Sequence, residues 1–375
     1  ACQARRETWP FGLLATATHD HKRGEDARTR LALISECPEA WSRRIQRWQD
    51  LNQRRVAVLS ENRRAPSAND EYLIYQTLLA SWPLALAELD PDGQLRPMDE
   101  TALSDYADRI VAYMLKAVRE AKVETAWTAQ NPEYEAALEG FIRSVLSPSL
   151  GTAFLSDMAA FVARLAPAGA VNGLAQTTLK LTVPGVPDLY QGTDLWDFSL
   201  VDPDNRRPVD FEARAQALAR ARSPLDLLPH WRDGRVKQAL VAALLDLRNR
   251  APALFAHGSY EPLEVAGTHA DRVLAFARTA PDIEDQEAGP PRLLIVVVPR
   301  LVWPLMDGPS LPLPRGWDDT AVVLPETAPF ATTALRDILS DSRAAEGRRY
   351  AGSEPLPLSG LLSDFPVCVL TDGPG

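Results

Sequence analysis

The spacing of apolar positions along this chain changes twice. Residues 13–28, LLATATHDHKRGEDAR, start small and apolar and end in a burst of charge. A short apolar run bounded that way predicts a buried strand that ends in a functional loop. Beyond it, Leu31, Ile34, Trp41, Ile45, Trp48 and Leu51 recur at three- to four-residue steps. That spacing predicts helix over 27–60, divided in two at Pro38. A polar loop, ENRRAPSAND, follows, and its Asn69 or Asp70 is the expected cap of the helix EYLIYQTLLASW, which stops at Pro83. After a turn around Asp90-Pro91-Asp92-Gly93, a long helix is predicted from about Ser104 to Val123, with Ile110, Met114, Ala117 and Ala121 on one face. NPEYEAALEGFIRSVL and FLSDMAAFVARL supply two more helices over 131–166, and no convincing strand interrupts this block.

The first change comes at 171–183, VNGLAQTTLKLTV, which is expected to lead from a helix end into a β-rich segment. Next comes PGVPDLYQGTDLWDFSLVDPDNRRPVDF, dense in Pro, Gly, Asp and Asn. A long ordered loop of that kind in a compact domain tends to be functional. GRVKQALVAALLDLRNR, 234–250, reads as an amphipathic helix with basic residues at its end and Pro252 just beyond. The second change is to a period of two, in RVLAFAR, RLLIVVVPRL, TAVVLP and FPVCVL. Pro- and Gly-rich turns separate these runs, which predicts a small antiparallel β-sandwich.

Composition narrows the partners more than the fold. At 375 residues the chain suffices for two domains, or for one large domain with an appendage. The net charge of −10 disfavours nucleic acid or an anionic membrane as the main partner. Three cysteines without metal spacing leave an odd thiol in any disulfide scheme, which suits a reducing cytoplasm. No apolar run is expected to reach the roughly 18 residues of a membrane span, and no signal peptide is read at the start. The chain opens ACQARRETWPFG, without an initiator Met and with a strand almost at once. It is therefore expected to be the C-terminal part of a longer protein.

Three clusters carry candidate chemistry. At the first, His19-Asp20, the aspartate has three uses: a carboxylate acting on a sugar, half of a metal pair, or a helix cap without chemistry. A metal pair needs further ligands at recognisable spacing, and the five histidines form no H-x-x-x-H pair, so no metal is expected. The cap reading stays open, with Asp20 or Asp26 opening the following helix. The second cluster is the loop 184–210, where carboxylates, amides and aromatics crowd together. Such a mixture suits a neutral polyhydroxylated ligand, with bidentate hydrogen bonds to hydroxyl pairs and flat apolar faces for sugar C–H surfaces. A solvated surface turn is the bland alternative. The third is KAVREAKVETAWTAQNPEY, 116–134, in which Lys116, Arg119, Glu120 and Lys122 read first as a solvated helix face. Trp82 and Trp127 read equally as core.

These segments resemble the maltooligosyl trehalose synthases, a branch of the α-amylase family of retaining glycosidases. ATATHDHKRGEDARTRLALISECPEAW is similar to the family segment at the end of barrel strand seven. KAVREAKVETAWTAQNPEYE resembles a motif peculiar to these synthases, and PGVPDLYQGTDLWDFSLVDPDNRRPVDF resembles their strand-eight loop. The resemblance implies an α/β fold: the C-terminal part of a (β/α)8 TIM barrel with a helical insertion, followed by the small antiparallel β-sandwich. It implies strand seven and the catalytic loop in 1–35, the insertion in 36–170, strand eight with its loop and closing helix in 171–252, and the β domain in 253–375.

The resemblance also implies roles. Asp20 matches the third family carboxylate, which stabilises the distorted sugar, and His19 the histidine that hydrogen-bonds the same sugar. Lys22 and Arg23 match the synthase extension of that motif, whereas His21 stands where Thr is expected. Lys122, Trp127, Tyr190, Gln191, Asp202, Asn205 and Arg206 are the implied substrate contacts, retaining glucose and excluding water. The implied reaction moves the reducing-end α-1,4 linkage of a maltooligosaccharide to an α,α-1,1 linkage, with no metal or organic cofactor. A maltooligosyl trehalose trehalohydrolase is the implied partner, after the glucan substrate itself. No segment resembles the family nucleophile or its acid/base partner, so the chain alone is expected to be inactive. The rival readings are another α-glucan hydrolase or transferase of the α-amylase family, and a non-catalytic glucan-binding fragment.

Overall fold

The computed structural model describes every residue except 91, 93, 221–222, 282–290, 309–311, 327–333, 340–348, 352–353 and 373–375. Positions 91 and 93 of the expected turn therefore lie outside the described residues. The chain forms two compact units. One gathers Ala1–Thr18, Pro167–Trp196 and Val209–Gly375, and the other gathers His19–Ala166 and Asp197–Pro208.

The second unit is helical. Its helices are Glu25–Ala32, Pro38–Asn52, Ala68–Ser81, Glu100–Ala121, Pro132–Val145 and the opening part of Thr152–Thr182. Pro38 starts its helix at the first turn, where a missing N–H costs nothing. The cap of Ala68–Ser81 differs from expectation: Ser67 fills it, its hydroxyl accepting from the Asp70 N–H at 3.2 Å. Asp70 is instead buried against the Tyr134 hydroxyl. A two-stranded hairpin, Ala57–Val58 with Arg64–Ala65, also interrupts the block where no strand was expected. At the centre, the fully buried Trp48 meets Tyr75, Phe154 and Phe161 at centroid separations of 5.5, 5.7 and 6.1 Å. Its indole N–H donates to Asp157 at 2.7 Å, so burial leaves no polar group unsatisfied there.

The helix Thr152–Thr182 overturns the expected β character of 171–183. TTLKLTV alternates like a strand, but the Thr178 and Thr182 hydroxyls donate to carbonyls four residues back, at 2.9 and 2.6 Å. That bond lets a β-branched residue sit inside a helix. The same helix is long and apolar enough to cross a membrane, contrary to the expectation that no such run exists; 78% of the apolar stretch is buried within the fold, as in a core helix.

In the first unit Leu13–Leu14 pairs in parallel with Val186–Pro187. The expected buried strand is thus two residues long and not buried: Leu13 is 79% exposed. Trp9, Phe11 and Val186 are exposed as well. The helices Phe211–Ala219, Arg235–Arg250 and Pro252–His257 lead into two antiparallel sheets. The larger runs Arg349–Ala351, Ala334–Asp337, Cys368–Thr371, Leu293–Pro299, Val273–Thr279, Glu261–Pro262 in spatial order. The smaller runs Leu356–Pro357, Ala321–Val323, Glu264–Ala266. Val273, Ile295 and Val297 share one core with Val322 and Leu356. Buried Arg278 donates to the carbonyls of Thr182, Phe255 and Gly258 at 3.1–3.3 Å, two helix ends where a cation is favoured. Burial nonetheless lowers its pKa to about 10.

Candidate functional site

Asp20 sits in a turn, six residues past the end of the strand, within the helical unit. Its side chain is 86% exposed, with one oxygen 3.3 Å from His19 Nε2. The capping alternative fails for both aspartates, since the cap of Glu25–Ala32 is Gly24. His21 is half-buried, and burial followed by the Arg28 guanidinium lowers its pKa against the opposing pull of Asp20.

Residues 19–30 and 197–208, far apart in sequence, form one structure in this unit. Gly24 N–H donates to the Ser199 carbonyl at 2.7 Å and Val201 N–H to that of Lys22 at 3.2 Å. Arg23 and Leu200 form an antiparallel bridge. Asp197 lies at the join. One of its oxygens accepts from Ser199 N–H and Oγ, the other from Glu25 N–H, and its own N–H donates to Asp26 at 2.7 Å. Gly24 is required here, because a Cβ would collide with the Asp197 carboxylate and lie 2.7 Å from its carbonyl oxygen. Buried Arg30 completes the clamp. It donates to the Trp82 carbonyl at 2.7 Å, and its guanidinium lies 3.9 Å from the centroid of Phe198.

Asp204 anchors the rest of the 197–208 loop. Buried to 1% side-chain exposure, it accepts from Arg109 at 2.7 and 3.0 Å, from Leu200 N–H at 2.8 Å and from Arg207 at 3.0 Å. Burial alone would raise its pKa; the hydrogen bonds and charge of Arg109, with Arg207 and the Leu200 N–H, outweigh that and hold it below the ordinary aspartate value. Neighbouring polar groups stay accessible. Asn205 donates to the His19 carbonyl at 2.7 Å, tying the loop to the His-Asp turn.

A chain of charges links these loops to the end of the helix Glu100–Ala121. Lys22 lies 3.2 Å from Glu120, Glu120 3.8 Å from Lys116, Lys116 3.5 Å from Asp202, and Asp202 2.8 Å from Arg206. Arg23 reaches the Thr77 hydroxyl at 3.2 Å. His19, Asp20 and Asn205 are thus joined by direct contacts, and Lys22 is linked to Asp202 and Arg206 through Glu120 and Lys116. Lys122 ends the helix in the left-handed conformation at φ 57°, where glycine is usual, and Trp127 lies in the loop beyond, 52% exposed. Trp82, by contrast, is core. Tyr190 and Gln191 belong to the other unit, where the Tyr190 carbonyl accepts from Thr193 N–H and Oγ1. In that unit Asp194 is engaged by Arg214 at 3.0 Å and Gln238 at 2.8 Å.

Sequence reasoning passed over Arg30 and Arg109, and read Lys116 and Glu120 as a solvated helix face; Arg109, Lys116 and Glu120 share one helix. The last three lie at i, i+7 and i+11 of one helix, the spacing of a single face. That face was legible as charged, but nothing in it named Asp202, Asp204 or Lys22 as partners. Among the described residues, no group of three His, Cys, Asp or Glu is placed to hold a metal ion.

No family profile matches the chain. A Mycobacterium tuberculosis protein assigned to the maltooligosyl trehalose synthases is 34% identical over 366 residues, covering 98% of this chain. This chain spans 38% of that relative's length. The structure of the maltooligosyltrehalose synthase from Arthrobacter ramosus aligns with a TM-score of 0.71 at 31% identity, over 99% of this chain and 40% of that one. A glycosyltrehalose synthase structure aligns at 0.63 and 26% identity, over 99% and 39%. Both the conserved length and the fold agree with the resemblance carried by the three motifs. The chain is a relative of the maltooligosyl trehalose synthases, matching the C-terminal portion of those longer proteins.

Proposed function

We propose that these residues form the part of a maltooligosyl trehalose synthase that holds the sugar while its reducing-end linkage is moved. The carrying observation is the 34% identity over 98% of the chain to a protein assigned to that activity. In the proposed reaction the terminal α-1,4 bond breaks with formation of a glycosyl–enzyme. The released glucose is retained, and its anomeric hydroxyl attacks to give the α,α-1,1 bond. Two carboxyl groups serve as nucleophile and acid/base in such a retaining scheme, and in this reading the rest of the synthase supplies them. Asp20 is the third carboxylate, a fixed anion beside developing oxocarbenium charge. Its solvent-facing side chain suits a group that an incoming sugar can reach. Lys22, Arg23, Asp202, Asn205 and Arg206 are the sugar contacts proposed around that turn, with Lys122 and Trp127 in the same unit; Tyr190 and Gln191 are proposed contacts carried by the other unit.

The fold reading goes with this one. The parallel pair Leu13–Leu14 and Val186–Pro187 would be the last two strands of a (β/α)8 barrel. The exposed Trp9, Phe11, Leu13 and Val186 would be the edge that the remaining strands cover. The 375-residue chain by itself should therefore turn over no maltopentaose; non-reducing, trehalose-ended product from the purified chain would overturn the division of labour. In a synthase of full family length, Asp20→Asn should lower turnover by about 10²–10³-fold, and a near-normal rate would remove Asp20 from the chemistry. Free glucose or maltose as the main product would instead favour a hydrolase. A trehalohydrolase acting on the product would be the next enzyme, and three free cysteines suit a cytoplasmic setting.

A further inference from the structure

The loop after the helix Glu100–Ala121 is built around a single exposed tryptophan. Ala126 and Ala129 exchange reciprocal backbone hydrogen bonds, both 3.1 Å, so Trp127 and Thr128 form the tip of a closed two-residue turn. The Arg119 guanidinium lies over the indole, 5.0 Å from its centroid. Arg119 is itself held bidentately by Glu135, at 2.9 and 2.6 Å. Glu135 also accepts from Thr125 Oγ1 at 2.7 Å, and Thr125 Oγ1 accepts from Asn131 N–H at 3.0 Å. Asn131 Nδ2 donates to the Glu124 carbonyl at 3.3 Å. Every joint of the turn is thus tied to the same ion pair.

A guanidinium fixed under one face of an aromatic ring leaves the other face as a flat apolar surface, and here the residue is 52% exposed. A structural tryptophan would be turned inward, as Trp82 is in the same unit. A protein-docking face would present a contiguous apolar patch. Beside Trp127 the exposed residues are Thr128, Ala129 and Gln130, with Val123 exposed earlier in the same loop. An exposed ring with hydrogen-bonding groups among its neighbours in the chain fits the C–H face of a single pyranose. Arg119 and Glu120 are also consecutive: the one backs Trp127, and the other contacts Lys22, two residues past Asp20.

We propose that Arg119 and Glu135 are positioning residues that present Trp127 as a stacking platform for one glucosyl unit beside the His19-Asp20 turn. This rests on the glucan reading above and adds what holds the platform in place. The ion pair acts on the indole, not on the sugar.

The test uses the 375-residue chain labelled with 5-fluorotryptophan, titrated with maltopentaose and followed by fluorine NMR. Trp127 is identified among the nine tryptophans by the signal lost in Trp127→Phe. Its resonance should shift saturably with sugar. Trp127→Ala should weaken binding by about 5–10-fold, and Arg119→Leu by about 3–5-fold. Arg119→Lys keeps a cation under the ring without the bidentate fork and should fall between parent and Arg119→Leu. Shifts at other tryptophans with Trp127 unmoved would overturn the platform and leave the glucan reading standing. No shift anywhere would overturn both. A Trp127 shift with parent affinity in Arg119→Leu would overturn the positioning role. The parent titration decides the platform even if a variant fails to fold.

Discussion

Asp204 and Asp20 lie in the two loops that the helical unit brings together, and their surroundings are opposite. Asp204 has 1% of its side chain exposed and is surrounded by Arg109, Arg207 and the Leu200 N–H. Asp20 has 86% of its side chain exposed, with His19 Nε2 at 3.3 Å. The first carboxylate is enclosed by its hydrogen bonds, and the second is presented to solvent. Asp197 and Asp194 follow the first pattern. The acidic richness of 184–210 is therefore mostly architecture. The polar groups exposed to solvent are fewer than the sequence suggests, Arg206 with 75% of its side chain exposed among them.

The largest effect should come from breaking Asp204. Removing one partner of a buried, hydrogen-bonded pair leaves the other charge uncompensated, at about 3–5 kcal/mol. Asp204→Ala should lower the urea midpoint of the helical unit accordingly, and a loss under about 1 kcal/mol would mean that water reaches the pair and the contrast is false. The acid limb gives a second reading of the same pair. The folded pKa of Asp204 lies below its unfolded value. Its stabilisation is therefore complete above the unfolded aspartate value of about 3.9 and is lost as pH falls through the lower folded pKa. Asp204→Asn should flatten the fall in stability below about pH 4; an unchanged acid limb would assign that fall to other carboxylates.

The tryptophans repeat the contrast between a side chain used by the fold and one left to solvent. Trp82 is fully buried, its indole N–H on the Leu86 carbonyl at 3.2 Å, so Trp82→Ala should cost about 3–5 kcal/mol in chemical denaturation. Trp127→Ala should cost less than about 1 kcal/mol, the loss of one exposed cation–π contact. Equal costs would return Trp127 to the core.

How far the sequence revealed this depended on whether the signal was local. The helices over 38–52, 68–81, 100–145 and 235–250 and four strands of the terminal sheets, Val273–Thr279, Leu293–Pro299, Ala321–Val323 and Cys368–Thr371, follow apolar spacing and turn residues, whereas the two- to four-residue strands Glu261–Pro262, Glu264–Ala266, Ala334–Asp337, Arg349–Ala351 and Leu356–Pro357 are too short to show a period and were not expected. Where 171–183 misled, two threonine hydroxyls bonding back along a helix imitate strand composition. The site was legible as motifs and by resemblance, but its construction was not. Arg30 on Trp82 and Phe198, or Arg109 on Asp204, joins residues about 50–170 positions apart, and no periodicity encodes which arginine a buried aspartate will find. The division of 184–210 between two units is a tertiary fact of the same kind.

The smallest stability effect should belong to the residue on which the proposed chemistry rests. Asp20→Asn keeps the size of the side chain and removes a charge from a side chain that is 86% exposed beside His19. A surface substitution of that sort should change stability by no more than about 0.5 kcal/mol, measured as a urea midpoint beside that of Asp204→Ala. An exposed charge contributes little to the fold, so near-zero cost is what the reading requires. A loss on the scale of Asp204→Ala would make Asp20 a second anchor, and the carboxylate proposed to stabilise the sugar would then have to be sought elsewhere in the turn. Near-zero cost combined with a large loss of turnover in the longer synthase would separate the two carboxylates by the same pair of substitutions.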